Sequence, residues 1–275
     1  MAGTTLQFPE GFLWGTATSA HQVEGNNKNS DWWEFEQHGG LKDHEISGVA
    51  VDHYNRFEED FDIAESLFQN AHRFSVEWSR IEIQEGVFDI IAMNHYKDVF
   101  QALKKRGMKV MVTLFHFTLP LWLAKKGGWE NSNSVKYFSR FAEYVARQIG
   151  DDVDFWITLD APLNYARASY LHGQFPPCVK NRFRFFKVFN RLSSAHEEAY
   201  FAIHKALKGA CIGISMNIPF SMPHSSKLID KIVVWGAKQI AYKRFLSHVK
   251  TSLDFIGLQP VEELTAGVEA VFGGG

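Results

Sequence analysis

Short apolar runs alternate along the chain with longer segments in which apolar residues recur at helical spacing. A short apolar run is typical of a buried strand, and the longer spacing is typical of an amphipathic helix. The predicted strands lie within Phe12–Ala20, Ala71–Arg80, Lys109–Pro120, Phe155–Pro162, Ala210–Asn217 and Leu253–Leu258. The predicted helices lie within Val51–Asn70, Ile91–Arg106, Ser134–Ile149, Arg182–Lys208 and Ser225–Val249. Strands that alternate with helices favour a parallel β/α barrel.

The last part of the chain continues this pattern less clearly. We expect Val261–Ala266 to form one or two helical turns, and Val268–Phe272 is a candidate for a seventh strand. With about six clear strands and no internal linker, the chain is predicted to be one α/β domain over residues 1–275, of the (β/α)8 TIM-barrel type.

One predicted strand carries polar chemistry at its end. The segment Phe155–Pro162 reads Phe-Trp-Ile-Thr-Leu-Asp-Ala-Pro. Because a proline cannot donate to a strand ladder, the strand is predicted to end near Pro162. Asp160 and Ala161 are therefore expected at the carboxyl end of the strand, where parallel β/α barrels carry their active sites.

Composition and charge narrow the class of partner. The chain has 275 residues, 45% hydrophobic and 22% charged, which is an ordinary globular composition. The net charge of −2 argues against a nucleic-acid footprint or a polybasic membrane patch, and no apolar run is long enough to span a bilayer. We therefore expect neither nucleic acid nor membrane as a partner, and no cofactor or metal.

Two further features concern location and the aromatic residues. The two cysteines, Cys178 and Cys211, are too few for a disulfide framework, and Met1–Gly11 lacks the pattern of a secretion signal. A reducing, cytoplasmic location is therefore predicted. The aromatic content of 15% favours a large aromatic core, and a cleft lined for flat ligands such as sugars is the alternative.

Three polar residues lie in or just after the predicted strands. Gln22 offers a donor and an acceptor in one planar amide, which suits two hydroxyls on adjacent carbons, although most such residues belong to loops. Arg73 lies inside an apolar run, where an unpaired charge is costly, so we expect it to point to a partner. His116 lies late in the third predicted strand, where a lone histidine is more often structural than functional.

Several of these stretches together resemble the family 1 glycoside hydrolases, which are β-glucosidase-like enzymes. The segment 157–162 is similar to the Thr-x-Asn-Glu-Pro strand of that family, and 113–120 is similar to its Thr-Leu-Phe-His-Trp-x-Leu-Pro stretch. The segment 254–258 matches its Asp-Phe-Ile-Gly-Leu strand. The resemblance covers residues 7–258, and the tail 259–275 is atypical.

The resemblance implies a barrel with a sugar-shaped cleft at the carboxyl ends of the strands. It implies that Gln22, His116 and Asp160 hold sugar hydroxyls, with Asp160 standing where the family has asparagine. Phe117 replaces the more common tryptophan and lacks an indole donor. Arg73 matches the arginine that contacts the catalytic nucleophile of the family.

Two departures from the family pattern affect catalysis. Retaining glycosidases need two carboxyl groups about 5 Å apart, one as nucleophile and one as acid and base. Ala161 stands where the family has the acid/base glutamate, and alanine cannot transfer a proton. The Thr-Glu-Asn-Gly motif that carries the nucleophile of the family does not occur in this sequence. We therefore predict that glycoside hydrolysis is weak or lost.

Other functions remain open from the sequence. In an engineered or repurposed enzyme, Asp160 would act as a general base in an apolar pocket lined by Phe115, Phe117 and Ile218, although Arg73 would oppose the raised pKa that this needs. A second alternative is a non-catalytic module that binds a carbohydrate or another small molecule. A third is a split-enzyme fragment, whose barrel is closed by self-association or by a complementary C-terminal fragment.

Overall fold

The computed structural model describes residues 7–223, 231 and 243–266, and it has a parallel sheet of six strands. The strands are β1 (Gly15–Ala17), β2 (Ala71–Ser75), β3 (Lys109–Phe115), β4 (Phe155–Asp160), β5 (Ile212–Pro223) and β6 (Phe255–Ala266). Their order in the sheet equals their order in the chain, and every neighbouring pair is parallel. The fold is therefore an α/β half-barrel of the TIM-barrel type, which confirms the prediction.

Helices connect successive strands of the sheet, as expected for right-handed β/α units. The helices are α1 (Ala20–Val23), α2 (Asp31–Gln37), α3 (His53–Ser66), α4 (Trp78–Ile81), α5 (Ile90–Lys105), α6 (Leu121–Lys125), α7 (Ser134–Ile149), α8 (Pro162–Ala166), α9 (Arg182–Ala206) and α10 (Arg244–Val249). A π-helical turn covers Arg167–Leu171, and a short antiparallel hairpin joins Glu82–Gln84 to Val87–Phe88. Among these helices none has the length and apolar character that crossing a bilayer requires.

Two of the long helices, α5 and α9, begin where a side chain caps them. Asp89 accepts hydrogen bonds from the amides of Ile91 and Ala92 at the start of α5. At the start of α9, Asn181 accepts hydrogen bonds from the amides of Phe183 and Arg184. The inward residues of α5 and α7 are buried in one core with the outward residues of β3. These buried residues include Phe100, Leu103, Val110, Val112, Leu114, Phe138 and Phe141. The packing of these residues holds β3 against α5 and α7, and so fixes the position of the end of the strand.

Two predicted strands are shorter than the apolar runs that suggested them. In Phe12–Ala20 only Gly15–Ala17 is strand, and the run then turns into α1. The second strand ends at Ser75 because Glu77 caps α4 by accepting a hydrogen bond from the Ser79 amide.

The prediction of helical turns at Val261–Ala266 is wrong, because this segment continues strand β6. Val261 pairs with Pro219, and Ala266 pairs with Pro223 on β5. Strand β5 is the parallel partner and supplies backbone hydrogen bonds to this segment. The sequence of the segment alone does not indicate that partner. The candidate seventh strand at 268–272 lies outside the described residues, as does most of the predicted helix 225–249.

Strand β1 forms one edge of the described sheet. Its three residues are exposed, and it pairs with β2 on one side. Phe8, Phe12 and Trp14 lie beside it and pack on one another, with ring centroids 4.7–4.9 Å apart. All three rings remain substantially exposed to solvent. An apolar patch therefore borders an unpaired strand edge.

Candidate active site

Polar side chains from four strands meet at the carboxyl end of the sheet. Arg73 on β2 forms an ion pair with Asp160 on β4, and both side chains are largely buried. Gln259 on β6 donates hydrogen bonds from Nε2 to Asp160 Oδ1 at 2.9 Å and to Ser215 Oγ on β5 at 2.8 Å. With His116, these residues form what we call the strand-end cluster.

Arg73 is held by more than its carboxylate partner. Its Nε donates to Thr113 Oγ1 at 3.0 Å, and its Nη1 lies 3.4 Å from Ser215 Oγ. The guanidinium therefore contacts residues of β3, β4 and β5 at once. An arginine in an apolar strand is tolerated here because its donors are satisfied from several directions.

His116 follows β3 and faces the same carboxylate. Its Nε2 lies 3.4 Å from Asp160 Oδ2. Burial lowers the pKa of His116; the charge of Asp160 opposes that effect and the charge of Arg73 adds to it. Its Nδ1 is buried without a hydrogen-bond partner. The imidazole is therefore mainly neutral at pH 7.

The surroundings of Asp160 differ from the apolar pocket expected from the sequence. Phe115 points into the core, where its ring packs edge-on against Trp129 and Tyr165 at centroid distances of 5.2 and 5.1 Å. The described contacts of Asp160 are with polar and charged side chains instead. The proposed apolar lining of this carboxylate is therefore wrong for Phe115, and the side chain of Ile218 lies outside the described part of the chain.

Phe117 borders the cluster and is half-buried. It has a positive φ of 72°, which is uncommon for a bulky residue. Its ring lies 5.5 Å from that of His116 and 5.9 Å from those of Tyr165 and Phe175. An aromatic wall therefore stands beside the imidazole.

Ala161 lies directly after Asp160 and precedes α8. It has left-handed backbone angles, with φ 40° and ψ 51°, and it is buried. Its amide donates to the carbonyl oxygen of Ser215 at 2.8 Å. The backbone at this strand end is thus fixed by β5, while the side chain is a methyl group without any ionisable function.

Gln22 lies on α1, after β1, and its side chain is exposed. Its amide oxygen accepts a hydrogen bond from Ser19 Oγ at 2.6 Å. The neighbouring His21 is fixed by Glu36, with 2.8 Å between Nε2 and Oε1. The structure therefore anchors the helix that carries Gln22, although the described contacts do not tie Gln22 to the strand-end cluster.

Two members of the cluster are not identified as site residues by the sequence. From the sequence, Ser215 is identified only as part of a predicted strand, and Gln259 only as the first residue of the atypical tail. Such residues could be identified in the sequence as polar residues at the ends of predicted parallel strands, because these strand ends lie along one edge of the sheet. Gln259 needs the extension of β6 to be placed there.

A second buried network lies beneath the loop after β1. Glu24 accepts hydrogen bonds from Tyr96 and Arg80, both at 2.8 Å. Burial raises the pKa of Glu24 to about 7, against the lowering effect of Arg80. Arg80 also forms an ion pair with Glu24, which follows α1.

The strand-end cluster can hold hydroxyl groups through Asp160, His116 and Gln259. As defined, it contains one carboxylate, whereas retaining glycoside hydrolysis uses two. Within the described ranges, no group of three or more histidine, cysteine or carboxylate side chains could hold a metal ion.

Comparison with known proteins agrees with the fold. The model of glycosyl hydrolase family 1 matches residues 4–254. Beta-glucosidase A of Thermotoga maritima is 34% identical over 92% of this chain, which spans 65% of that protein. Lactase/phlorizin hydrolase of Homo sapiens is 33% identical over 79% of the chain and 12% of its own length.

Solved structures give the same result. The beta-glycosidase from Pyrococcus horikoshii superposes with a TM-score of 0.87 at 36% identity, covering 94% of this chain and 63% of that one. The beta-glucosidase from Thermotoga maritima in complex with glucoimidazole gives a TM-score of 0.88 at 30% identity, covering 94% of this chain and 67% of that one.

The parallel β/α half-barrel and its structural neighbours place this chain in the class of TIM-barrel glycosidase folds. The chain belongs to glycosyl hydrolase family 1. It spans about half to two thirds of the length of the bacterial relatives that it matches.

Proposed function

We propose that this chain binds the glycone of a β-glucoside-like sugar at the strand-end cluster and does not by itself hydrolyse the glycosidic bond at an appreciable rate. The observation that carries the proposal is the methyl side chain of Ala161 at the end of β4, beside Asp160. By resemblance to the family, this is the position of the general acid and base. A methyl group can neither protonate the leaving oxygen nor activate water.

Asp160 is a poor replacement for the missing acid and base. Its Oδ1 is occupied by Arg73 and Gln259, so this oxygen is not free to take a proton from a substrate. Its Oδ2 faces His116. These contacts favour a role in holding hydroxyl groups, and they disfavour the alternative in which Asp160 is a general base.

Sugar binding is supported by the groups that remain available. His116 keeps 21% of its side-chain surface exposed, and Phe117 offers a ring beside it. Related structures of the Thermotoga maritima beta-glucosidase hold deoxynojirimycin and glucoimidazole. We expect a ligand of that kind to bind the strand-end cluster through Asp160 and His116, and, by the resemblance to the family, to gain a further contact from Gln22 on α1.

The test is calorimetric titration of the chain with deoxynojirimycin, together with an assay of aryl β-glucoside turnover. We expect binding without turnover, and we expect His116→Ala to weaken binding by up to about tenfold, the loss of one hydrogen bond from a neutral imidazole. His248→Ala, at an exposed position on α10, is the matched control and should bind like the parent chain. Strong turnover by the unaltered chain would contradict the proposal, and so would the absence of binding.

A second candidate function is that of one part of a two-part barrel. The observation that favours it is the exposed edge of β1 beside the aromatic patch of Phe8, Phe12 and Trp14. Parallel barrels close through eight strands, so a segment with further β/α units fits between β6 and β1.

Mixing this chain with the part of Thermotoga maritima beta-glucosidase A that it does not match tests this candidate. Light scattering should detect a one-to-one complex, and Phe12→Ser should weaken it. Phe183→Ser, which changes an exposed ring on α9, is the control and should leave the complex unchanged. A monomeric mixture at micromolar concentration would rule out complementation.

A further inference from the structure

Gln259 lies on β6 and donates hydrogen bonds to two other members of the strand-end cluster. We propose that Gln259 is an internal occupant of the sugar site: its side-chain amide covers Asp160 and competes with a sugar hydroxyl group for that carboxylate. This inference rests on the proposed function, because it concerns the affinity of the same cluster for a ligand with several hydroxyl groups. It makes Gln259 the residue that controls access to Asp160.

The hydrogen bonds of the cluster form a closed ring of four side chains. Arg73 donates to Asp160, and its Nη1 lies 3.4 Å from Ser215 Oγ. Gln259 Nε2 contacts the same two residues, at 2.9 Å from Asp160 Oδ1 and 2.8 Å from Ser215 Oγ. A carboxylate oxygen has two lone pairs, and Oδ1 already receives two donors. A sugar hydroxyl group that binds this oxygen must therefore replace one of them.

The second oxygen of this carboxylate is also covered. Asp160 keeps only 4% of its side-chain surface exposed, and its Oδ2 lies 3.4 Å from His116 Nε2. A pyranose cannot contact a carboxylate that is covered to this extent unless a neighbouring side chain moves. On the side of Oδ1, the two neighbours are Arg73 and Gln259.

Gln259 is the neighbour that moves at the lower cost. Arg73 is charged and also donates to Thr113 Oγ1 at 3.0 Å, so its movement would leave Asp160 as an unpaired buried charge. Gln259 is uncharged and half-buried, and it belongs to the last strand of the described sheet. A ligand hydroxyl group can replace the hydrogen bond that the amide gives up. The exchange therefore keeps the ion pair intact.

Chemical labelling of Asp160 tests the cover without any sugar. A carbodiimide with glycinamide converts accessible carboxyl groups into amides, and mass spectrometry of the peptide that carries Asp160 measures the rate. After circular dichroism has confirmed its fold, Gln259→Ala should be labelled at Asp160 several-fold faster than the parent chain. Leu258→Ala, at the neighbouring exposed position on β6, is the matched control and should be labelled like the parent chain. The exposed Glu59 on α3 should react equally in every chain.

Calorimetric titration with deoxynojirimycin tests the competition. Gln259→Ala should bind about tenfold more tightly than the parent chain, because the ligand no longer displaces a hydrogen bond to a carboxylate. Gln259→Met keeps the length of the side chain without its donors. It should also bind more tightly than the parent chain, and it keeps the test decisive if Gln259→Ala fails to fold. If Gln259 only held Asp160 in position, both variants would bind more weakly.

The two measurements separate this inference from the proposed function. Faster labelling of Asp160 in Gln259→Ala, with no binding of deoxynojirimycin by any of these chains, would refute sugar binding at the cluster and support the cover. Unchanged or slower labelling of Asp160 in that variant would overturn the inference, and so would weaker binding by both variants.

Discussion

Arg73 and Asp160 form a buried ion pair that crosses strand β3, since their own strands are the second and fourth of the sheet. Thr113 on the intervening strand accepts a hydrogen bond from the same guanidinium. The pair therefore joins three strands at the edge where sugar binding is proposed. Its energetic role follows from burial, because a buried charge that loses its partner is much costlier than an exposed one.

Removing one member of this pair should destabilise the chain strongly. We expect Arg73→Met to lower the free energy of unfolding by about 3–5 kcal/mol, because Asp160 would remain buried beside two uncharged donors. The double variant Arg73→Met/Asp160→Asn should lose less than the sum of the single variants. Urea denaturation of the four proteins measures this coupling.

An exposed ion pair serves as the matched control. Arg56 and Glu59 lie on α3 with exposed side chains, and Arg56→Met should destabilise the chain far less than Arg73→Met, because solvent screens the exposed pair. Similar losses for Arg73→Met and Arg56→Met would contradict the role assigned to the buried pair.

The left-handed backbone at Ala161 gives a second prediction. A residue with a Cβ is disfavoured at φ 40° by about 1–2 kcal/mol relative to the right-handed region, and glycine avoids this cost. Glycine also has a more flexible unfolded state, so we expect Ala161→Gly to raise the free energy of unfolding by about 0.5–1 kcal/mol. Thermal and urea unfolding both measure the change.

Ala102→Gly is the control for this substitution. Ala102 is buried in the interior of α5, where glycine should cost about 1 kcal/mol or more. If Ala161→Gly destabilised the chain as much as Ala102→Gly does, relief of the strained backbone would not govern the stability change at position 161.

Periodicity predicted the parts of the fold that depend on local sequence. The helix over Ser134–Ile149 has the predicted bounds, and α5 and α9 differ from prediction by one or two residues at their ends. Each of these helices has a continuous apolar face and a polar residue at its start, so the signal lies within one segment.

Features that depend on distant partners were not predictable in the same way. The strand at Val261–Ala266 exists because β5 lies beside it, and Gln259 reaches Asp160 only through that pairing. The packing of Phe115 in the core depends on aromatic rings from other segments. A partner for Arg73 was expected from the cost of burial, and an effect of Arg73 on Asp160 was anticipated, whereas its contacts with Thr113 and Ser215 required the structure.

The raised pKa of Asp31 predicts how stability depends on pH. The folded chain keeps this proton up to about pH 8, whereas an unfolded aspartate releases it near 3.8. The folded state therefore binds more protons between these values, and its stability falls as pH rises, by at most about 1.4 kcal/mol per pH unit for this group. Urea unfolding between pH 5.5 and pH 8.5 measures the slope.

Asp31→Asn should reduce this slope, because asparagine can still accept from the Leu119 amide through its carbonyl oxygen without titrating. Glu24, with a pKa raised to about 7, contributes a slope of the same sign that should remain in this variant. An unchanged slope in Asp31→Asn would show that the buried carboxyl group of Asp31 does not titrate in this range.

The lowered pKa of His116 predicts the response of the strand-end cluster. In the folded chain this imidazole should titrate below the ordinary histidine value of about 6.5, because burial disfavours the charged ring. Asp160→Asn removes the charge that opposes this effect and leaves Arg73 to repel the proton, so the pKa should fall further. Imidazole proton resonances, assigned with His116→Gln, measure both values.

Glu59→Gln removes an exposed carboxylate on α3 and should leave the resonance of His116 unchanged. If Asp160→Asn raised the pKa of His116, the contact between these two side chains would not govern the cluster, and sugar binding through a neutral imidazole would lose its support.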